Sequence, residues 1–205
     1  RKNFFYTMRW LCEEFKNNKD VGIVVKTNAG KNTLIDRQIT DQMLQKLLNF
    51  VRKDYKAPRV HLVHGNLKNS EVGGLYVHPQ IKCLVSATRG EGYGLPILEA
   101  AAQGLPVIAT NWSGHLDFMN RGNFIKLEYD MINVPEQKVD NQIFMSGTKW
   151  ANVKEDDFKK KVRKFYKSHK TPKDWANSLK TEIRKDFSQS AIEEKMEQAF
   201  SEVLL

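Results

Sequence analysis

Glu91 and Glu99 have seven residues between them, and that interval holds Gly92, Tyr93, Gly94, Leu95 and Pro96. Ionised carboxylates only accept hydrogen bonds, so they suit neutral hydroxyls, including vicinal pairs. Glycines let the backbone approach a ligand closely. Pro96 suits the first turn of a helix, where its missing N–H costs nothing. A helix starting there aims unpaired N–H groups and its positive dipole end at an anion. Hydroxyl acceptors and an anion cradle in one short stretch fit a molecule with both sugar hydroxyls and phosphates. On spacing alone a plainer reading stays open: the glycines make a tight turn and Glu99 complements the helix dipole.

These residues need a frame, and the sequence supplies strands alternating with helices. Val21–Val25, Val60–Val63, Ile81–Ser86, Leu105–Ala109 and Phe124–Leu127 read as strands, the first covered on both faces. Residues 4–16, 33–52, 69–78 and 95–103 read as helices, with Gly104 ending the last. The order predicts an α/β fold, a Rossmann-like parallel sheet with helices on both faces. Such sheets bind ligands beyond the carboxyl ends of their strands, where the Glu91 turn falls. From about residue 150 the strands are expected to stop and lysine-rich helices to follow. Pro172 is expected to separate two of them and Ser190 to cap the last. The chain reads as one domain, a core over 1–130 and a lysine-rich helical extension over 131–205.

The chain has 205 residues, enough for one large core, and carries a net charge of +9 with a pI near 9.4. Such a balance suits an anionic partner: a nucleotide diphosphate, an anionic membrane surface or nucleic acid. Between Lys149 and Lys185, 13 Lys or Arg face 5 Asp or Glu. There Phe158, Val162, Phe165 and Tyr166 recur at helical spacing, so an amphipathic surface helix with a solvated basic face is preferred to a binding patch. Cys12 and Cys83 match no disulfide framework or metal spacing, which favours a reducing, cytoplasmic compartment. No signal peptide or membrane-length apolar run is visible. The opening Arg1-Lys2-Asn3 is read as the start of a fragment or processed product.

Other chemistries fail on their residues. The glycines resemble a kinase loop, but a helix start follows instead of a strand with a phosphate-binding lysine. Gly30-Lys31-Asn32 lacks the first glycine and the hydroxyl residue of a P-loop. The five histidines form no zinc-like set, and no Asp-x-Asp pair is present to hold a metal.

The run Glu91 to Thr110, Glu-Gly-Tyr-Gly-Leu-Pro-Ile-Leu-Glu-Ala-Ala-Ala-Gln-Gly-Leu-Pro-Val-Ile-Ala-Thr, resembles the signature of retaining glycosyltransferases of family 4, on the GT-B fold. His64-Gly65 after a strand and the strand–helix order to about residue 130 fit as well. The resemblance implies that Glu91 contacts donor-sugar hydroxyls or lies beside the reacting centre. It implies that Gly92, Tyr93, Gly94 and Leu95 form the loop against sugar and diphosphate, and that Glu99 holds the ribose hydroxyls. Lys2 resembles the lysine that neutralises the diphosphate, and Glu91 and Lys2 are the expected catalytic pair. Val63 and His64 occupy the strand end beside the base.

The family's first strand of this domain, with its Gly-Arg pair, and its acceptor-binding N-terminal domain are not in the sequence. The expectation is therefore the nucleotide-sugar-binding half of a retaining glycosyltransferase, inactive alone, with no metal or other cofactor. A further expectation is possible peripheral contact with an anionic membrane. The rivals are a GT-B sugar-nucleotide epimerase and a non-catalytic module binding anions or nucleic acid, the latter disfavoured because few aromatics interleave the basic run.

Overall fold

The computed structural model describes residues 1–56 and 58–203. Its elements run α1 (Phe4–Glu14), β1 (Gly22–Thr27), α2 (Leu34–Arg52), β2 (Arg59–His64), α3 (Asn69–Val77), β3 (Leu84–Ser86), α4 (Leu95–Ala102), β4 (Val107–Thr110), α5 (Leu116–Met119) and β5 (Ile125–Leu127). After these come β6 (Tyr129–Asn133), β7 (Lys149–Val153), α6 (Glu155–Lys167), α7 (Lys170–Phe187) and α8 (Gln189–Val203), with a short 3-10 turn over Glu136–Lys138.

The architecture is α/β with parallel sheets. β1 pairs with β2 in parallel, Val25 opposite Leu62. β3, β4 and β5 form a second parallel ladder, Val85 opposite Ile108 and Ile108 opposite Ile125. Among the described residues no ladder joins β1 to β3. That leaves a break between the two ladders. α1 spans it, because Trp10, Leu11 and Phe15 pack in one cluster with Val21, Ile23, Cys83 and Val85. The Arg89 N–H also donates to the Arg1 carbonyl at 2.9 Å, tying the start of the chain to the segment after β3.

β4 is buried throughout: Val107 and Ala109 join the cluster with α4, α5 and α7, whereas Ile108 joins the one with α1 and α6. Alternation along a strand puts these sets on opposite faces, so helices cover both sides here. β1 differs from the expectation. Val24 is 41% exposed while Val25 is buried with α1 and α2, so the β1–β2 ladder has only one covered face. α3 does not cover the other, since it packs against α4.

The third strand is shorter than Ile81–Ser86. Its ladder opens where the Leu84 N–H donates to the Pro106 carbonyl, and Pro106 has no N–H to return. Gly104 ends α4 as expected, at φ +73°, with Leu105 N–H reaching back to the Ala100 carbonyl at 3.0 Å.

The stretch 131–153 is not helical. β6 and β7 form an antiparallel pair, Met131 opposite Ala151, and strands therefore continue past residue 150. Their connection is long and irregular. Pro172 lies within the first turn of α7, where its missing N–H is harmless, and the break between α6 and α7 falls at Ser168–His169. Ser188, not Ser190, caps α8, its Oγ accepting the Ala191 N–H at 3.3 Å. Of the helices after residue 154, α6 and α7 are part of the core, and α8 is largely exposed. Phe158, Val162 and Phe165 fill one cluster and Leu179 and Ile183 another.

Much of the basic charge is engaged. Lys159 and Arg163 of α6 pair with Glu13 and Glu14 of α1 at 2.7 and 2.5 Å. Lys173 and Arg184 of α7 donate to the Gly104 and Ala102 carbonyls at 2.7 and 2.9 Å, satisfying the carboxyl end of α4. No described helix is long and apolar enough to cross a membrane.

Candidate functional site

The site is built on the turn between β3 and α4. Gly94 is the N-cap of α4 at φ +93°, a conformation that disfavours side chains. A Cβ there would also lie 3.0 Å from the Cβ of His115. Pro96 sits in the first turn, and the Ile97 and Leu98 N–H groups both donate to the Gly94 carbonyl. The N–H groups of Tyr93, Gly94 and Leu95 make no hydrogen bond among the described residues. Tyr93 and Leu95 are exposed, so this helix end faces solvent.

The structure brings Lys2 and Glu91 together. Lys2 Nζ lies 2.8 and 2.6 Å from the two Glu91 carboxylate oxygens. The glutamate side chain is 6% exposed and the lysine 57%, so the pair is a buried carboxylate under a lysine open to water. An ammonium has three donors. Two are directed at Glu91, and the third is left for another acceptor.

Glu99 is exposed one turn into α4, and Tyr76 of α3 donates to its Oε2 at 3.3 Å. Burial, with the Glu99 charge adding to it, holds the Tyr76 phenol above its ordinary pKa. The hydroxyl therefore stays a donor. Tyr93, though exposed overall, is likewise raised, by partial desolvation of its phenol and by Asp117.

Val63 and His64 end β2, and no described hydrogen bond links them to the Glu91 turn. His64 Nε2 instead meets Asp36 Oδ2 of α2 at 2.7 Å. Burial opposes ionisation of Asp36, but the hydrogen bond to His64 and the N–H groups of Lys31 and Ala29 outweigh it and lower its pKa. Lys26 donates to the Gly65 carbonyl, and Asn32 accepts the Asn66 N–H at 3.1 Å. Polar contacts thus fix the backbone at the end of β2. Among the described residues no group of three or more His, Cys, Asp or Glu could hold a metal ion.

A model describing glycosyl transferases group 1 matches residues 29–182. The chain belongs to this family. No curated protein matches the chain. Among solved structures, this group 1 chain is similar to the pneumococcal O-GlcNAc transferase GtfA, solved with UDP and GlcNAc. The match has 16% identity and a TM-score of 0.56, over 99% of this chain and 33% of that one. A structure of the GtfA/B complex is similar at 14% identity and TM-score 0.55, over 90% of this chain and 36% of that one. The group 1 chain therefore shares a GT-B domain fold and spans about a third of the length of these structures.

The sequence pattern did not single out Tyr76, Asp36, Ser113 or His115. Asp36 carried a signal: Thr33-x-x-Asp36 is a helix-start pattern, and Thr33 Oγ1 does accept the Asp36 N–H at 3.1 Å. Ser113-Gly114 after the fourth strand marks a turn, but its partner is remote in sequence. Ser113 Oγ accepts the Glu91 N–H at 2.8 Å and donates to the Glu91 carbonyl at 2.6 Å. His115 is fully buried, and its Nε2 donates to the Thr110 carbonyl at 2.8 Å. Burial lowers its pKa, so the ring is neutral.

Proposed function

We propose that this chain is the donor-binding part of a retaining glycosyl transferase whose donor is a nucleoside-diphosphate sugar. The observation carrying the proposal is the Lys2–Glu91 pair beside unpaired N–H groups at the α4 N-terminus. The free lysine donor and the Tyr93, Gly94 and Leu95 N–H groups take the diphosphate. Gly92 carries no side chain that would keep the ligand off the backbone. Glu91 accepts from sugar hydroxyls next to the breaking bond. Glu99 accepts from the ribose diol, and Tyr76 holds its carboxylate. The end of β2 at Val63 and His64 lies beside the base.

The chemistry follows from where charge grows. As the anomeric C–O bond breaks, the electron pair passes to the diphosphate. Donors fixed there stabilise that charge more in the transition state than in the ground state. Lys2 and the helix end supply such donors without a metal. The acceptor hydroxyl adds to the anomeric carbon on the face the diphosphate leaves, and its proton passes to the leaving phosphate. Because the chain spans about a third of the structures it resembles, we assign the acceptor site to a separate domain. Alone, the chain binds donor and transfers nothing.

The test is a thermal-shift panel of UDP, GDP, ADP and their sugar conjugates on the chain and on Glu99→Ala. UDP heads the panel because the solved relative holds it. A ligand that binds only the folded state raises the Tm. A rise with one nucleotide that Glu99→Ala abolishes supports the reading. No rise at millimolar ligand overturns it for this chain.

A further inference from the structure

Ser113 is a non-glycine residue at φ +93°, in the left-handed region. Such a conformation is strained for a residue with a side chain and persists only where the surroundings over-determine it. Here the surroundings are the backbone of Glu91. The Ser113 hydroxyl accepts the Glu91 N–H at 2.8 Å and donates to the Glu91 carbonyl at 2.6 Å, and the Gly114 N–H reaches the same carbonyl at 3.1 Å. Both backbone groups of Glu91 are therefore held by one short segment.

That segment is itself anchored from below. His115 binds the Thr110 carbonyl, and Thr110 Oγ1 donates to the Thr88 carbonyl at 2.6 Å. The His115 Cβ also lies under Gly94. The strained serine thus joins the end of β4 to the turn that carries Glu91. Its hydroxyl has no other partner among the described residues, so the strain is matched to one task.

We propose that Ser113 is a positioning residue: it fixes the Glu91 backbone so that the carboxylate faces the donor sugar. This rests on the donor-site reading above. The Ser113 hydroxyl is spent on the Glu91 backbone, as acceptor and as donor, so its loss should weaken recognition of the sugar and spare recognition of the nucleotide.

The experiment measures Kd for UDP and for UDP-N-acetylglucosamine on the full chain, by calorimetry, in five proteins. These are the wild type, Ser113→Gly, Ser113→Ala, Glu91→Gln and Ser113→Gly combined with Glu91→Gln. Ser113→Gly relieves the backbone and protects the fold if the alanine variant unfolds. The expected result is a tenfold or greater loss of the gain in affinity that the sugar brings, with Kd for UDP changed less than twofold. Adding Glu91→Gln to Ser113→Gly should then cost nothing further, because both act through one carboxylate.

Equal weakening of both ligands, or an unchanged sugar gain, overturns the proposal and leaves the donor site standing. A fully additive double variant does the same. A wild-type chain that binds UDP but gains nothing from the sugar overturns the proposal together with the role of Glu91. A wild-type chain that binds neither overturns the donor reading beneath both.

Discussion

Gly114→Ala is the sharpest test of how tightly the Glu91 turn is locked. A Cβ at residue 114 would overlap the Gly92 carbonyl oxygen, lying 2.8 Å from the Gly92 carbonyl carbon and 3.0 Å from the Glu91 carbonyl oxygen. Ordinary carbon contacts are about 3.5–4.0 Å, so one segment must move by about 1 Å. Neither neighbour is a flexible side chain; both are backbone in a turn held by Ser113 and by the Gly114 N–H itself. Forcing extra volume into a packed site costs about 1–3 kcal/mol. At about 2–4 °C per kcal/mol for a chain of this size, Tm should fall by about 2–12 °C. A displacement of about 1 Å at a positioned group can cost about a hundredfold in function, so nucleotide-sugar affinity should fall at least about tenfold. Gly92→Ala is the control, because a Cβ there meets nothing within 4 Å. Its Tm should stay within about 1–2 °C of wild type, corresponding to the usual surface change of about 0.5 kcal/mol. The assay is thermal unfolding by tryptophan fluorescence, with and without UDP and UDP-N-acetylglucosamine. Gly114→Ala with wild-type Tm and wild-type affinity would refute the locked-turn argument.

Three further outcomes follow from other contacts. Arg89 lies over the Trp150 ring at 4.5 Å and donates to Asn3 Oδ1 at 3.3 Å, so Arg89→Ala should cost about 2 kcal/mol and lower Tm by about 4–8 °C, read in the same assay. Asp36 has a lowered pKa in the fold, so its contribution is present above about pH 4, the unfolded value, and is lost as pH falls through the folded one. Melting from pH 3 to 7 should therefore show the gap between wild type and Asp36→Asn narrowing only below about pH 4; a gap constant across the range contradicts the assignment. Burial pushes the Cys83 thiol up to about 12 and raises Cys12 as well. Ellman's reagent at pH 8 should then titrate both thiols in denaturant, and in the folded chain react more than about a hundredfold more slowly than with a free thiol; a fast folded-state phase counts against this.

The parts of the fold that sequence made legible are those whose signal is local. Val60–Val63 and Leu105–Ala109 are short apolar runs bounded by Pro, Gly or polar residues, and Gly104 announces the left-handed turn it adopts. The hairpin of β6 and β7 was hidden because its strands pair across a long irregular connection, with Asp130, Asn133 and Asn152 set inside them. The exposed side of β1 was hidden for another reason: an apolar run reports hydrophobicity, not how many helices lie over it. At the site, the motif glutamates and glycines were visible because their spacing is fixed by one turn. That Lys2 and Glu91 belong to one site came only from the resemblance, and their contact across 89 positions came only from the structure. Ser113, Tyr76 and Asp36 act through partners 22, 23 and 28 positions away, which no periodicity reports.

The attachment of α7 to α4 has a consequence for building chimaeras. Building a chimaera of two family members invites exchange of the segment 90–115 alone. In this chain the far end of that segment's helix is closed by Lys173 and Arg184, contributed some 70 to 80 positions later. A transplanted turn whose last carbonyls found no such cations would end in unmet acceptors, and α4 would settle at a new tilt. The unit of inheritance is therefore discontinuous: the glycine turn and helix α7 must travel together for either to be read correctly by its new host.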